Sequence, residues 1–217
     1  MRKTILKFTA AAAIAATATV ISMTSFATEY KEGVHYEDLG TKASSTPEVS
    51  DFFSFFCGHC NLFRPLGVKI KQEIAPVPYN KVHVEFLPNG YPEIGKLMAR
   101  AHATAIVLKA DDKVADEIFD RNFNRKDYID NVAKLRQSFA IAGVKTEDFD
   151  NAYNSFQTNS LVAQMAKKSK ELKIHATPSL VVNGKYMVKN GGVSKSTDMK
   201  IYTEEYIKLV KYLVTLK

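Results

Sequence analysis

The sequence predicts an α/β domain in which a helical subdomain is inserted into a strand–helix–strand framework. Three patterns carry that reading. Apolar runs at residues 49–56 and 81–87 have strand character and bracket a stretch with a four-residue helical period. Helical spacing then persists over about residues 92–172, much longer than a simple crossover requires. An Asn183-Gly184 pair joins two further short apolar runs, the mark of a tight hairpin.

The chain opens on an address rather than on structure. Arg2, Lys3 and Lys7 precede an apolar, small-residue stretch over residues 8–23, and Ser25-Phe26-Ala27 places small residues where a signal peptidase reads. Residues 1–27 are therefore expected to be a cleaved signal peptide, leaving a mature domain over residues 28–217 that begins at Thr28. A retained anchor is the alternative, but the stretch is rich in Ala and Thr, whereas a span wants ~20 predominantly apolar residues. The leader holds three basic and no acidic residues, so the formal charge of +7 falls to +4 on its removal. So small and dispersed an excess gives no footprint for nucleic acid. The densest basic run, Lys167, Lys168 and Lys170, reads as a solvated helix face.

Residues 49–56 place Val49, Phe53 and Phe55 on one face and Phe52 and Phe56 on the other, as in a central strand covered on both sides. Asp51 is the anomaly there, because a buried carboxylate costs several kcal/mol unless it is paired or protonated. After Cys57, Leu62, Leu66 and Ile70 recur at helical spacing, and Pro65 is expected to kink that helix. Val82, Val84 and Phe86 alternate through the second strand. The insertion shows helical sets such as Ile94, Leu97, Met98 and Ala101, and later Phe149, Ala152, Tyr153 and Phe156, with turns near residues 109–112 and at Gly143. Residues 179–182 and 185–188 are the arms of the hairpin, whose Asn183-Gly184 suits the positive φ angles of a type I′ turn. A last helix from about Thr203 turns Tyr206, Leu209, Val210 and Leu213 to one side.

The chain has only two cysteines, three positions apart. A small exported scaffold held by disulfides would have more of them, widely spaced. Cys57-Gly58-His59-Cys60 lies where a buried strand meets a helix start. There, unpaired N–H groups and the helix dipole favour a thiolate, the form that reacts in disulfide exchange. His59 can add to that stabilisation from within the loop. A structural disulfide would gain only about 2 kcal/mol from so short a loop. Zinc needs four ligands, and no second pair exists. Inert buried thiols are the third alternative. His35, His83, His102 and His175 show no ligand spacing and read as structural or exposed, so no metal site is expected.

The segment Asp51-Phe-Phe-Ser-Phe-Phe-Cys-Gly-His-Cys60 resembles the active-site region of the periplasmic dithiol oxidases called DsbA, within the thioredoxin superfamily. The similarity runs from about Tyr30 to Lys217. It takes in Lys81-Val-His-Val-Glu-Phe86, Tyr153-Asn-Ser-Phe156, Ser160-Leu-Val-Ala-Gln164, and Pro178 followed by Val182-Asn-Gly-Lys-Tyr186. The resemblance implies a thioredoxin-like fold with the helical insertion, and a monomeric enzyme that introduces disulfides into exported proteins carrying free thiols. It implies that Cys57 is the exposed nucleophile and Cys60 the buried resolving thiol, with Thr177-Pro178 as a cis-proline element against the disulfide. Asp51 and Lys81 match the family's buried acid and its basic partner. No cofactor is expected beyond the redox-active Cys57–Cys60 disulfide, which a quinone-linked membrane oxidase of the DsbB type would regenerate. Two positions depart from the best-known members: Gly58 stands where they have Pro, and Thr177 where Val is common. Both point toward a less oxidising couple. The rival readings are an isomerase or reductase using the same site, and a periplasmic chaperone with a vestigial pair. The short stretch between Thr28 and Val49 leaves no room for the dimerisation domain of the bacterial isomerases.

Overall fold

The computed structural model describes residues 30–216; the expected signal peptide over residues 1–27 and the start at Thr28 lie outside the described residues. In chain order the main elements are β1 (Tyr36–Asp38), β2 (Val49–Phe53), α1 (Gly58–Glu73), β3 (Tyr79–His83), α2 (Pro92–Val107), α3 (Asp111–Phe119), a π-helical turn (Asp120–Asn124), α4 (Val132–Ile141), α5 (Thr146–Tyr153), α6 (Phe156–Glu171), β4 (Ser179–Val182), β5 (Tyr186–Val188) and α7 (Met199–Thr215). The strands form one sheet in the order β1-β5-β4-β2-β3. Helices α2 to α6 all fall between β3 and β4 in the chain.

β2 is buried along its whole length because it runs parallel to β3 on one side and antiparallel to β4 on the other. Val49 belongs to the core beneath α1 and α7, with Leu66, Ile70 and Leu209, whereas Phe52 shares the opposite face with Val181, Ala103 and Met165. A third core fills the inserted helices with Met98, Ile118, Phe139 and Phe149, and it is continuous with Phe53, Phe55 and both cysteines. The insertion therefore packs directly against the cysteine loop.

Both strands of the β2–α1–β3 unit are shorter or shifted relative to the expected spans. β2 ends at Phe53 rather than at residue 56, since the chain turns there and the Cys57 N–H bonds back to the Ser54 carbonyl at 3.0 Å. β3 occupies Tyr79–His83 rather than residues 81–87. After the bond from Val84 N–H to Phe53 O at 2.9 Å, β2 offers it no further backbone to pair with. α1 runs as one helix through Pro65, although the proline has no N–H to give to the Asn61 carbonyl.

In the β4–β5 connection, Asn183 and Gly184 take φ values of +54° and +62°, the type I′ signature, and the Lys185 N–H closes the turn on Val182 O at 3.0 Å. Pairing resumes with Tyr186 opposite Val182, so Lys185 is an extra residue, and its carbonyl accepts from Leu39 N–H at 2.9 Å. α7 starts at Met199, earlier than expected, because the Asp198 carboxylate caps it by accepting from the N–H groups of Lys200 and Ile201. Tyr206, Leu209, Val210 and Leu213 are fully buried beneath it. Each apolar one contributes roughly 1.5–3 kcal/mol on burial.

Candidate active site

Cys57 is the N-cap of α1, in extended backbone conformation (φ −101°, ψ 109°). Its Sγ accepts the Cys60 N–H at 3.1 Å and lies 3.5 Å from the Thr177 carbonyl oxygen. Both cysteines stand as free thiols. A hydrogen bond from the Cys60 thiol is the main cause that brings Cys57 down to about 6, against the opposing effect of burial; the Thr177 hydroxyl, the Cys60 N–H and the charge of His59 add to the lowering. The same thiol–thiolate bond, together with burial, pushes Cys60 far up. One sulfur is thus prepared to carry negative charge and the other to keep its proton. The Thr177 hydroxyl is buried without an ordinary hydrogen-bond partner, close enough to both sulfurs to favour their charged forms.

Thr177-Pro178 is a cis bond, and the loop it forms lies over the cysteines. His59 and Gly58 are exposed at the first turn of α1. A Cβ at Gly58 would meet Phe123 Cε1 at 3.5 Å, an ordinary contact. Asp51 is buried in β2, where its Oδ2 accepts the Tyr79 hydroxyl at 2.9 Å and its Oδ1 has no partner. Burial outweighs both the Tyr79 hydrogen bond and the charge of Lys81, and holds the Asp51 carboxyl up at about 6. A cavity of about 10 Å³, roughly one water in size, is bordered by Asp51, Cys60, Arg64, Lys81 and Pro178. Gly67 and Lys81 also line a groove of about 870 Å³ on the outer side of β3, so the small cavity and the groove share a wall.

A family model described as a DsbA-like thioredoxin domain matches residues 48–197. The chain belongs to the DsbA-like thioredoxin family. Thiol:disulfide interchange protein DsbA of Dickeya dadantii is 36% identical over 203 residues, which cover 91% of this chain and 95% of that protein. DsbA of Escherichia coli is 33% identical over 198 residues, 89% and 93% of the two chains. Among solved structures, the disulfide oxidoreductase DsbA from Proteus mirabilis matches with a TM-score of 0.80 at 33% identity, covering 87% of this chain and 98% of its own. A cysteine-to-serine form of that protein was solved with the peptide PWATCDS bound non-covalently. As a DsbA-family member the chain is a thiol:disulfide oxidoreductase of the disulfide-introducing class, and its fold is thioredoxin-like with inserted helices.

Against the expectations that the DsbA resemblance raised, two placements differ. Cys57 is not openly exposed: it is 7% accessible against 3% for Cys60, because its sulfur is tucked between the helix start and the Thr177 carbonyl. Lys81 stands directly beside Asp51 in the β2–β3 register, yet no ion pair joins them among the described residues, and the ammonium lies 5.9 Å from the Phe53 ring centroid. The direct partner of Asp51 is Tyr79, which sequence reading missed. A Cβ at Gly67 would lie 2.8 Å from the Tyr79 hydroxyl, so glycine at that mid-helix position is what admits the Tyr79–Asp51 bond. His83 and His102 are buried behind the site, whereas His175 is exposed and His35 accepts from the Lys31 N–H away from it. Among the described residues, no His, Cys, Asp and Glu cluster could hold a metal.

Proposed function

We propose that Cys57 is the sulfur through which this oxidoreductase exchanges with substrates and that Cys60 is its resolving thiol. The supporting observation is the opposite treatment of the two sulfurs: Cys57 caps α1, accepts the Cys60 N–H at 3.1 Å and is brought down to about 6, while Cys60 is pushed up. In the forward step a substrate thiolate attacks Cys57 Sγ of the Cys57–Cys60 disulfide. The S–S bond breaks, Cys60 leaves as a thiolate and takes up a proton, and a mixed disulfide links substrate to Cys57. The substrate's second thiolate then attacks the substrate sulfur of that bond and releases Cys57 as a stabilised thiolate. Two electrons have passed from the substrate dithiol to the enzyme dithiol.

In the same reading Asp51 exchanges the proton of Cys60 across the water-sized cavity, with Lys81 toward the groove. Thr177 and Pro178 cover the sulfurs and offer backbone to the substrate chain, while His59 and Gly58 shape the helix start. The substrates are unfolded or folding exported proteins with free thiols, met by a monomer in the periplasm after removal of residues 1–27. Reoxidation falls to a membrane oxidase of the DsbB type. Family membership and the basic, apolar leader support this setting. Thiolate absorbance should report a single titration near pH 6, lost in Cys57→Ser. Cys60→Ser should accumulate mixed disulfides with exported proteins. Equal alkylation rates for the two thiols across pH 4–8 would overturn the assignment.

A further inference from the structure

The residues between β2 and Cys57 belong to no repeating element, and their position is imposed from two other parts of the fold. Phe55 is fully buried. Its N–H donates to His83 Nε2 at 3.0 Å, and its carbonyl accepts from Asn122 Nδ2 at 2.9 Å. His83 closes β3; Asn122 lies in the π-helical turn that follows α3, and both are within 1% of complete burial. The far end of Asn122 is also engaged, its Oδ1 accepting Ile129 N–H at 3.4 Å. Because Nε2 accepts, the His83 ring is neutral with its proton on Nδ1; burial and the neighbouring His102 keep it so. The π-helical turn reaches the other side of the nucleophile as well, since Phe123 Cε1 lies 3.5 Å from where a Cβ at Gly58 would sit. Such turns insert one extra residue into a helix and recur at functional sites.

We propose that Asn122 and His83 are positioning residues for disulfide exchange: they hold the Phe55 peptide unit from both sides and thereby aim the turn that presents the Cys57 sulfur at the start of α1. The turn is continuous with the clamp, for Ser54 accepts the Cys57 N–H at 3.0 Å and its Oγ accepts the Phe56 N–H at 3.1 Å. Phe55 is fully buried, so losing either partner leaves a buried polar group of its backbone unsatisfied. The two redox forms depend on the clamp unequally. In the disulfide form Cys57 is tied covalently to Cys60; in the dithiol form only hydrogen bonds hold its sulfur at the N-cap. The clamp therefore stabilises the dithiol form more and makes the couple more oxidising. It also links the inserted helices to the reacting atom through one side chain.

The test uses Asn122→Leu, which keeps the bulk and removes the donor, and His83→Phe, which removes the acceptor. For each variant the equilibrium constant with glutathione, the Cys57 titration and urea melts of both redox forms are measured. The expected result is a greater loss of stability in the dithiol form, an equilibrium shifted toward the disulfide form by about three- to tenfold, and a Cys57 midpoint moved upward. Equal destabilisation of both forms with an unchanged equilibrium constant would reduce the two residues to core packing and overturn the proposal. Should Asn122→Leu not fold, His83→Gln decides against His83→Phe. The glutamine oxygen can accept from Phe55 N–H, so recovery of the wild-type constant by Gln alone supports the clamp, and identical constants refute it.

Discussion

Replacing Asp51 with Asn should favour the folded protein more at neutral pH than in acid. The Asp51 carboxyl is held at about 6 against an ordinary 3.8, burial prevailing over the Tyr79 hydrogen bond and the Lys81 charge. A gap of that size corresponds to about 3 kcal/mol of folding free energy. A carboxyl harder to ionise in the folded than in the unfolded chain costs nothing below pH 3.8, where both states hold the proton. The cost grows as pH rises to about 6 and is fully present above it. The Asn amide oxygen can still accept the Tyr79 hydroxyl, while its NH₂ takes the place of the unpartnered Oδ1. Any cost of that unsatisfied donor, about 1–3 kcal/mol, is the same at every pH. Urea melts of variant and wild type at pH 4 and pH 8 therefore isolate the ionisation. Because the unfolded carboxyl is already about half ionised at pH 4, the stability difference should move by about 2–2.5 kcal/mol in the variant's favour between them. A difference that is the same at both pH values would show that Asp51 does not ionise at a cost, and would remove the argument for a perturbed acid beside Cys60.

Two other outcomes follow from neighbouring groups. Burial holds His102 at about 4 rather than 6.5. The stability this represents, about 3 kcal/mol, is intact above pH 6.5 and lost as pH falls toward 4. His102→Gln, which keeps a donor for the Lys81 carbonyl, should flatten that acid limb in pH-resolved urea melts; an unchanged limb would contradict it. Gly58→Pro should raise stability by about 0.4–1 kcal/mol, since the first helical position accepts proline and the Cβ of its ring would meet only Phe123 at ordinary contact. A loss of urea midpoint in both redox forms would show that the backbone there cannot take the proline φ.

What could be read from the sequence was local. Asn183-Gly184 announces its own backbone conformation, and the change of period at Cys57 marks the strand-to-helix junction without help from the rest of the chain. The two-sided apolar pattern around Asp51 was enough to place that carboxylate in the core. The unread parts depend on tertiary register. Tyr79 follows Pro78 in a polar-looking stretch, and only the parallel pairing of β3 with β2 brings its hydroxyl to Asp51. A strand begun two residues earlier would have put Tyr79 and Lys81 on one face. Asn122 carries no pattern of its own, since its partner Phe55 lies 67 residues away. Asn183 likewise reads as a turn residue, yet its Nδ2 also donates to the carbonyls of Leu213, Val214 and Leu216 and so finishes α7.

The notch at Gly67 has a consequence for how this enzyme can vary. Glycine inside a helix costs roughly 0.5–1 kcal/mol relative to alanine, and α1 accepts that cost at the point where the Tyr79 phenol leans against it. Positions 67 and 79 thus form one size-matched unit spread over two elements. A larger residue at 67 forces the phenol to shift away from Asp51, and a shorter residue at 79 removes the reason for the glycine. Divergence at these sites should proceed by paired replacement. A chimera that imported α1 alone, with a bulkier residue at 67, would strip Asp51 of its hydrogen bond while leaving both cysteines and the acid untouched.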